Sequence, residues 1–143
     1  MRTKKIAAAV VASACLAVWG TTLAAAGTTL STDLVGAEER PGPGDPDGHG
    51  FITLTMNQGR GEICFELTTS GIDAATRGHI HQAPAGEPGP IFVTLFESEG
   101  PAGKCVTATK AQIKAIRQNP EEFYVNIHTA AFPAGAIRGQ LGD

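Results

Sequence analysis

The sequence has little positive charge and lacks the motifs of several well-known function classes. It contains 11 Lys and Arg against 14 Asp and Glu, and no basic stretch carries interleaved aromatic residues. A general affinity for nucleic acid is therefore not expected. The chain has no Gly-x-Ser-x-Gly elbow, no Walker-type loop and no Gly-x-Gly-x-x-Gly that follows a strand. These absences disfavour serine hydrolases, nucleotide hydrolases and dinucleotide-binding enzymes.

Cysteine is also scarce. The chain has three cysteines, Cys15, Cys64 and Cys105, and no Cys-x-x-Cys pair. Cys15 belongs to an N-terminal segment that is expected to be removed, so Cys64 and Cys105 remain as an even pair. In an exported protein such a pair predicts a disulfide. A pair of thiolate metal ligands is the alternative, which the spacing does not favour.

The first 26 residues predict a secretory signal peptide. A basic start over residues 2–5 precedes an apolar stretch over residues 6–19, and Ala24-Ala25-Ala26 fits a cleavage site. The apolar stretch is short for a membrane span, which takes about 20 residues. A retained anchor and a lipoprotein acylated at Cys15 are the alternatives. We therefore expect a secreted protein, extracellular or in the cell envelope, with no membrane span after cleavage.

Cleavage would leave an acidic chain with one small domain. The removed residues carry Arg2, Lys4 and Lys5 and no acidic side chain, so the formal net charge would change from −3 to −6. Residues 27–50 are rich in Gly, Pro and Asp, a composition that does not sustain helix or sheet. We expect residues 27–50 to be a flexible entry segment and residues 51–143 to be the folded domain.

From residue 51 onwards, apolar and polar residues mostly alternate, which predicts β-strands. Residues 109–118 break this pattern, because Thr109 is a suitable N-cap and Ile113 and Ile116 have helical spacing. The sequence thus predicts an all-β fold, a Greek-key β-sandwich or flattened barrel, with one short helix near residues 109–118. The predicted strands cover residues 51–56, 62–67, 77–82, 91–96, 123–128 and 136–141.

Three of the four histidines lie in two of these predicted strands. His79 and His81 are separated by Ile80, and side chains at i and i+2 of a strand point to the same side. His128 lies on the outward-facing side of another predicted strand. If the two strands are neighbours, His79, His81 and His128 form a ligand set for copper or zinc. The alternative is a polar patch in which the histidines only make hydrogen bonds.

Other polar side chains share this outward face by strand parity. Tyr124, Asn126 and Gln140 are candidates for residues that support the metal ligands. Arg138 also faces outward, where it is expected to pair with Glu62 or Glu66, and binding of an anionic ligand is the alternative.

Four motifs, in order, resemble the chordin-type (CHRD) domain family over about residues 50–141. The resemblance implies an exported bacterial single-domain member with an immunoglobulin- or superoxide-dismutase-like β-sandwich. It implies no defined activity, since the biochemical role of the family is poorly defined. The motifs are Gly78-His-Ile-His81, Gly86-x-x-Gly89-Pro90, Asn119-Pro120-x-x-Phe-Tyr-Val-Asn-Ile-His-Thr129 and Pro133-x-Gly135-x-Ile-Arg-Gly-Gln-Leu141.

The His-x-His pair is also similar, locally, to the copper-binding strand of copper-zinc superoxide dismutases. Those enzymes need a bridging histidine and a separate zinc site, whereas His49, the fourth histidine here, lies in the predicted flexible segment. Our first hypothesis is a secreted, non-enzymatic CHRD-domain binding module with a metal site at His79, His81 and His128, and an unknown protein or cell-surface ligand. The alternatives are a copper redox enzyme of superoxide dismutase type and a purely structural cell-envelope interaction domain.

Overall fold

A computed structural model describes residues 27–98, 100 and 103–142, and the predicted signal peptide lies outside these residues. One α-helix, α1 (Lys110–Gln118), is present in the described part of the chain between the sixth and seventh strands. The strands are β1 (Thr28–Val35), β2 (His49–Asn57), β3 (Glu62–Ser70), β4 (Ala75–Gln82), β5 (Ile91–Phe96), β6 (Gly103–Thr107), β7 (Phe123–Thr129) and β8 (Ile137–Gln140).

The strands form one antiparallel sheet that curls into a nearly closed, flattened barrel. Their order is β5-β4-β7-β8-β1-β2-β3-β6, and the two end strands, β5 and β6, approach each other. The predicted all-β class is therefore confirmed. In the described residues, no helix is long and apolar enough to cross a membrane.

The alternating pattern places apolar side chains inside the barrel. On β2, Ile52, Leu54 and Met56 are at most 1% exposed, as their spacing predicts. Each such side chain contributes about 1.5–3 kcal/mol by leaving water. The inward residues of the other strands complete a single core: Ile63, Phe65, Leu67, Ile80, Val93, Leu95, Phe123, Val125, Ile127 and Ile137.

The short helix α1 forms where the alternation breaks. The Thr109 side chain accepts a hydrogen bond from the backbone N–H of Gln112, and the Gln112 side chain accepts one from the N–H of Thr109. This capping box satisfies donors that the first helical turn leaves free. Ile113 and Ile116 are fully buried in the barrel core. The predicted helix near residues 109–118 is confirmed.

The prediction that residues 27–50 are a flexible segment is wrong. Thr28–Val35 forms β1, which pairs along its whole length with β2 and meets β8 at Val35. This strand lies between β2 and β8, so the folded domain begins at β1 and not at residue 51. Thr and Ser fill four of its eight positions, which hides the apolar alternation. The short β6 was missed because none of its five residues is buried, so it has no apolar alternation.

Three connections fold back over the outer face of β4, β7 and β8. They are the 36–48 segment, the 83–90 loop and the 130–136 loop. Each of them takes part in a polar contact that holds it in place. As a result, every residue of β7 is buried, although alternate side chains point away from the core. The contacts join Asp45 N to the carbonyl of Ala136 (2.8 Å), Arg138 Nη1 to the carbonyl of Glu87 (2.9 Å) and His128 Nδ1 to the carbonyl of Pro133 (3.1 Å).

A disulfide joins the edge strand β6 to the rest of the sheet. Cys64 on β3 lies directly opposite Cys105 on β6, and their sulfur atoms are bonded. The predicted pairing is confirmed.

Removing this disulfide should destabilise the domain by about 4 kcal/mol. The two cysteines are 41 residues apart, and closing a loop of that length mainly restricts the unfolded chain. We expect a Cys64→Ser/Cys105→Ser variant to have a correspondingly lower free energy of unfolding in urea. Wild-type protein in reducing buffer is the control and should match the variant; equal stability of oxidised and reduced wild type would contradict the prediction.

Candidate metal centre

The pairing of β4 with β7 brings the three histidines of the outer face together. His79 lies opposite Asn126, and His128 lies opposite Arg77, one outward position further along. The ring centroids of His79 and His128 are 5.0 Å apart, and those of His79 and His81 are 5.6 Å apart. The side chains are 3%, 9% and 7% exposed for His79, His81 and His128. The predicted convergence is present, and it lies beneath loops rather than on an open surface.

Each imidazole has one ring nitrogen occupied by an acceptor outside the cluster. His79 Nε2 is 3.0 Å from the Glu97 carboxylate, and His81 Nδ1 is 2.8 Å from the carbonyl of Gly89. His128 Nδ1 is 3.1 Å from the carbonyl of Pro133. Because carboxylates and carbonyls only accept hydrogen bonds, these partners assign the N–H of each ring to the occupied nitrogen.

The remaining ring nitrogens carry lone pairs, and those of His79 and His128 face each other. One candidate ligand atom of each histidine lies within 4.8 Å of the other two. His79 Nδ1 and His128 Nε2 are 3.1 Å apart, and His81 Nε2 is buried without a hydrogen-bond partner among the described residues. Two nitrogen ligands of a tetrahedral zinc ion, with bonds of 2.0–2.1 Å, lie about 3.3 Å apart. The donor set and its spacing therefore fit a transition metal.

The hydrogen-bond acceptors outside the cluster are of the kind that metal-binding histidines commonly have. Ligating imidazoles usually donate the second N–H to a carboxylate or a backbone carbonyl, which orients the ring and raises its basicity. Here Glu97 does this for His79, and two loop carbonyls do it for His81 and His128. The three side chains are thus oriented before any ligand arrives.

Electrostatics favours the neutral imidazole form of His81 and His128. Burial lowers the pKa of His128 from 6.5 to about 4, with a further contribution from the nearby His79. Burial also lowers the pKa of His81. A neutral imidazole is the form that binds a metal ion.

Tyr124 and Arg138 hold the 83–90 loop against His81. The Tyr124 ring stacks on His81 with centroids 4.8 Å apart, and the Arg138 guanidinium lies 3.5 Å from the Tyr124 ring centroid. The Tyr124 hydroxyl accepts a hydrogen bond from Gly89 N, while His81 binds the carbonyl of the same residue. A side chain at Gly89 would meet the backbone oxygen of Gln82 at 2.0 Å, so only glycine allows this approach.

Arg138 does not pair with Glu62 or Glu66, and this prediction is wrong. Those carboxylates are on β3, which β1 and β2 separate from β8 in the sheet. Arg138 is instead 1% exposed and donates to the carbonyls of Glu87 and Pro84. Its guanidinium also lies over the Tyr124 ring, and the residue lines a surface pocket together with Gln140, so binding of an anion stays a prediction.

Gln140 supports loops and does not touch the histidines. Its Nε2 donates to the carbonyl of Ala83 at 3.0 Å and to the carbonyl of Glu121 at 2.7 Å. The residue was predicted to support the metal ligands directly; its contacts make that support indirect.

Sequence reasoning missed two acidic residues of this region. Glu97, whose side chain is 58% exposed, follows β5, and only the β4–β5 hairpin register brings it beside His79. Glu39 comes from the segment that was expected to be flexible, and it is 2% exposed. Burial raises its pKa from 4.5 to about 7, against the opposing effects of Arg138 and Asn126. No periodicity or motif in the sequence marks either residue.

The other candidate ligands lie elsewhere. His49 is an exposed residue at the start of β2, paired with Val35 and Ser70. A second group, Glu62, Cys64 and Cys105, includes two sulfur atoms that are bonded to each other and are not thiolates.

Comparison with known protein families matches residues 30–141 to the CHRD domain. The match contains all four sequence motifs and also most of β1, which lies upstream of residues 50–141, where the motifs indicate the resemblance. No match was found among curated proteins or among solved structures.

In metal-free protein, Glu39 and His128 should change stability in opposite directions as the pH changes. The pKa of Glu39 is raised from 4.5 to about 7, so its contribution is full below pH 4.5 and is lost as the pH rises to about 7. The pKa of His128 is lowered from 6.5 to about 4, so its contribution is full above pH 6.5 and is lost as the pH falls to about 4.

The two effects can be separated with Glu39→Gln. This variant lacks the Glu39 contribution, so its midpoint of thermal unfolding should fall more steeply than that of the wild type between pH 6.5 and 4.5. Glu38→Gln, at an exposed neighbouring position, is the matched control and should keep the wild-type profile. Parallel profiles for Glu39→Gln and wild type would show that the prediction is wrong.

Replacing Glu97 should allow His79, and neither of the other two histidines, to populate both neutral tautomers. In metal-free wild type, long-range ¹H–¹⁵N spectra are expected to show the proton on Nε2 of His79 and on Nδ1 of His81 and His128. In Glu97→Ala, the His79 signals should move towards a tautomer mixture while the other two stay unchanged, because their acceptors are backbone carbonyls. Glu66→Ala removes an exposed carboxylate of β3 and serves as the control. Unchanged His79 signals in Glu97→Ala would contradict the assignment.

Proposed function

The chain belongs to the CHRD-domain family, and we propose that it is a secreted, non-enzymatic binding module that holds a copper or zinc ion with His79, His81 and His128. The observation that carries this proposal is the convergence of three imidazoles, each of which has one ring nitrogen occupied by an acceptor outside the cluster. Imidazole ligands suit transition metals such as copper and zinc, whereas calcium and magnesium prefer oxygen ligands.

The arrangement supports a metal better than it supports a purely hydrogen-bonded patch. A patch of neutral histidines would place donors opposite acceptors, as buried polar groups normally do. Here His79 Nδ1 and His128 Nε2 face each other at 3.1 Å, and each ring already has its N–H directed outwards. Two lone pairs at that distance repel unless a proton or a metal cation lies between them.

Export is supported by the signal-peptide pattern of residues 1–26 and by the disulfide. Disulfides persist in oxidising compartments and are rare in the reducing cytosol. The bond between Cys64 and Cys105 is therefore consistent with an extracellular or cell-envelope location.

The number and positions of the histidines favour a binding role over a copper enzyme of the dismutase type. The three histidines on β4 and β7 form one group, and His49 lies on β2, which β8 and β1 separate from β7 in the sheet. In the described residues, no second histidine group accompanies the first, so the two-metal arrangement of the copper-zinc enzymes has no counterpart there.

Calorimetric titration of metal-free protein with Cu(II) and with Zn(II) tests the proposal. We expect one equivalent to bind with a dissociation constant below about 1 μM, which corresponds to about −8 kcal/mol. His79→Ala and His128→Ala should each weaken binding by at least about 100-fold, since each removes one of three protein ligands.

His49→Ala is the matched control and should bind like the wild type, because this exposed histidine lies outside the cluster. Binding weaker than micromolar, or binding that the two cluster variants leave untouched, would overturn the proposal. Superoxide turnover by the copper-loaded protein would replace it with the redox-enzyme alternative.

A further inference from the structure

Asn126 lies at the centre of the outer polar face. It is paired with His79 on β4 and with Arg138 on β8, and its side chain is 4% exposed. Its Oδ1 is buried without a hydrogen-bond partner among the described residues. Leaving a buried carbonyl oxygen unpaired costs about 1–3 kcal/mol, so a partner that binds this atom would stabilise the folded protein.

Asn126 lies beside the histidine cluster in the β4–β7 ladder. It is paired with His79, and the next outward pair joins His81 to Tyr124, whose ring stacks on His81. Asn126 is buried like the three histidines, so its unpaired oxygen and their lone pairs share one buried face.

The oxygen has no proton to accept from that cluster. The N–H of His81 is directed to the carbonyl of Gly89, so its other nitrogen, His81 Nε2, carries a lone pair. That nitrogen also has no partner among the described residues. A cation bound between two such unpaired acceptors on one buried face would satisfy both.

We propose that Asn126 Oδ1 is the fourth ligand of the metal and closes a site of three nitrogens and one oxygen. This inference rests on the proposed function, since it completes the site formed by His79, His81 and His128. The other outward side chains are engaged elsewhere: Tyr124 accepts from Gly89 N, and Gln140 donates to two loop carbonyls. The Glu97 carboxylate is engaged by His79 Nε2, the nitrogen that points away from the cluster.

A closed site has a functional consequence. Structural metal sites have four protein ligands, whereas catalytic sites keep one position for water or substrate. With Asn126 as a ligand, no position remains for an exogenous molecule, and the metal serves the integrity of the binding module. If Asn126 were not a ligand, the same three histidines would leave an open position of the catalytic type.

Titration with Co(II) as a spectroscopic probe for the closed site tests this inference. The visible absorption of Co(II) reports its coordination, and azide binds only where a ligand position is open. We expect the spectrum of Co(II)-loaded wild type to stay unchanged when azide is added. Asn126→Ala should bind Co(II) at least about 10-fold more weakly and should gain an azide-dependent spectrum, because it opens the fourth position.

Two further variants keep the test decisive. Asn126→Asp retains an oxygen ligand and should remain insensitive to azide, and Asn57→Ala is the matched control for the loss of an asparagine away from the site. An azide-dependent spectrum in the wild type would overturn the inference while leaving metal binding intact. It would likewise be overturned if Asn126→Ala bound Co(II) like the wild type. Failure of the wild type to bind Co(II), Cu(II) or Zn(II) would overturn the proposed function together with it.

Discussion

Burial of the polar outer face of β4, β7 and β8 is the constraint on which the rest of the structure depends. A polar group taken out of water without a partner costs about 1–3 kcal/mol, so a buried polar face must be covered by donors and acceptors. Backbone carbonyls of the covering loops meet this need. Arg138 and Gln140 bind carbonyls on either side of the 83–90 loop and thereby hold it on the sheet. The loops in turn fix the side chains beneath them.

The same contacts that satisfy the buried face orient the histidines. Carbonyls of Gly89 and Pro133 take the outer N–H of His81 and His128, and the Glu97 carboxylate takes that of His79. Directing every N–H outwards leaves electron-rich atoms gathered inside. That gathering is unfavourable without a cation and favourable with one, and the proposed metal site rests on this difference. The proposed role of Asn126 follows from the same principle, because its oxygen is unpaired in the same place.

The parts of the fold that could be predicted follow from local periodicity. Period-two alternation identified the inward residues of β2 and β3, and the change to helical spacing at Ile113 and Ile116 identified α1. Parity also placed His79, His81 and His128 on one side of the sheet. β1 was missed because Thr and Ser occupy four of its eight positions, and its place is decided by its pairing with β2. Arg138 was given the wrong partners because strand order, which no local pattern reveals, puts β3 far from β8.

The sequence by itself determined that the chain forms a small β-domain of the CHRD type, which cysteines pair, and which histidines share a face. These properties depend on the alternation of apolar and polar residues, on composition and on motif order, all of which are local features of the sequence. Only the tertiary structure decided that this face is buried, that Glu97 contacts His79, and which ring nitrogens remain free. The burial of the face depends on three loops that come from distant parts of the chain, because the position of a loop over a sheet is set by contacts that no local pattern encodes.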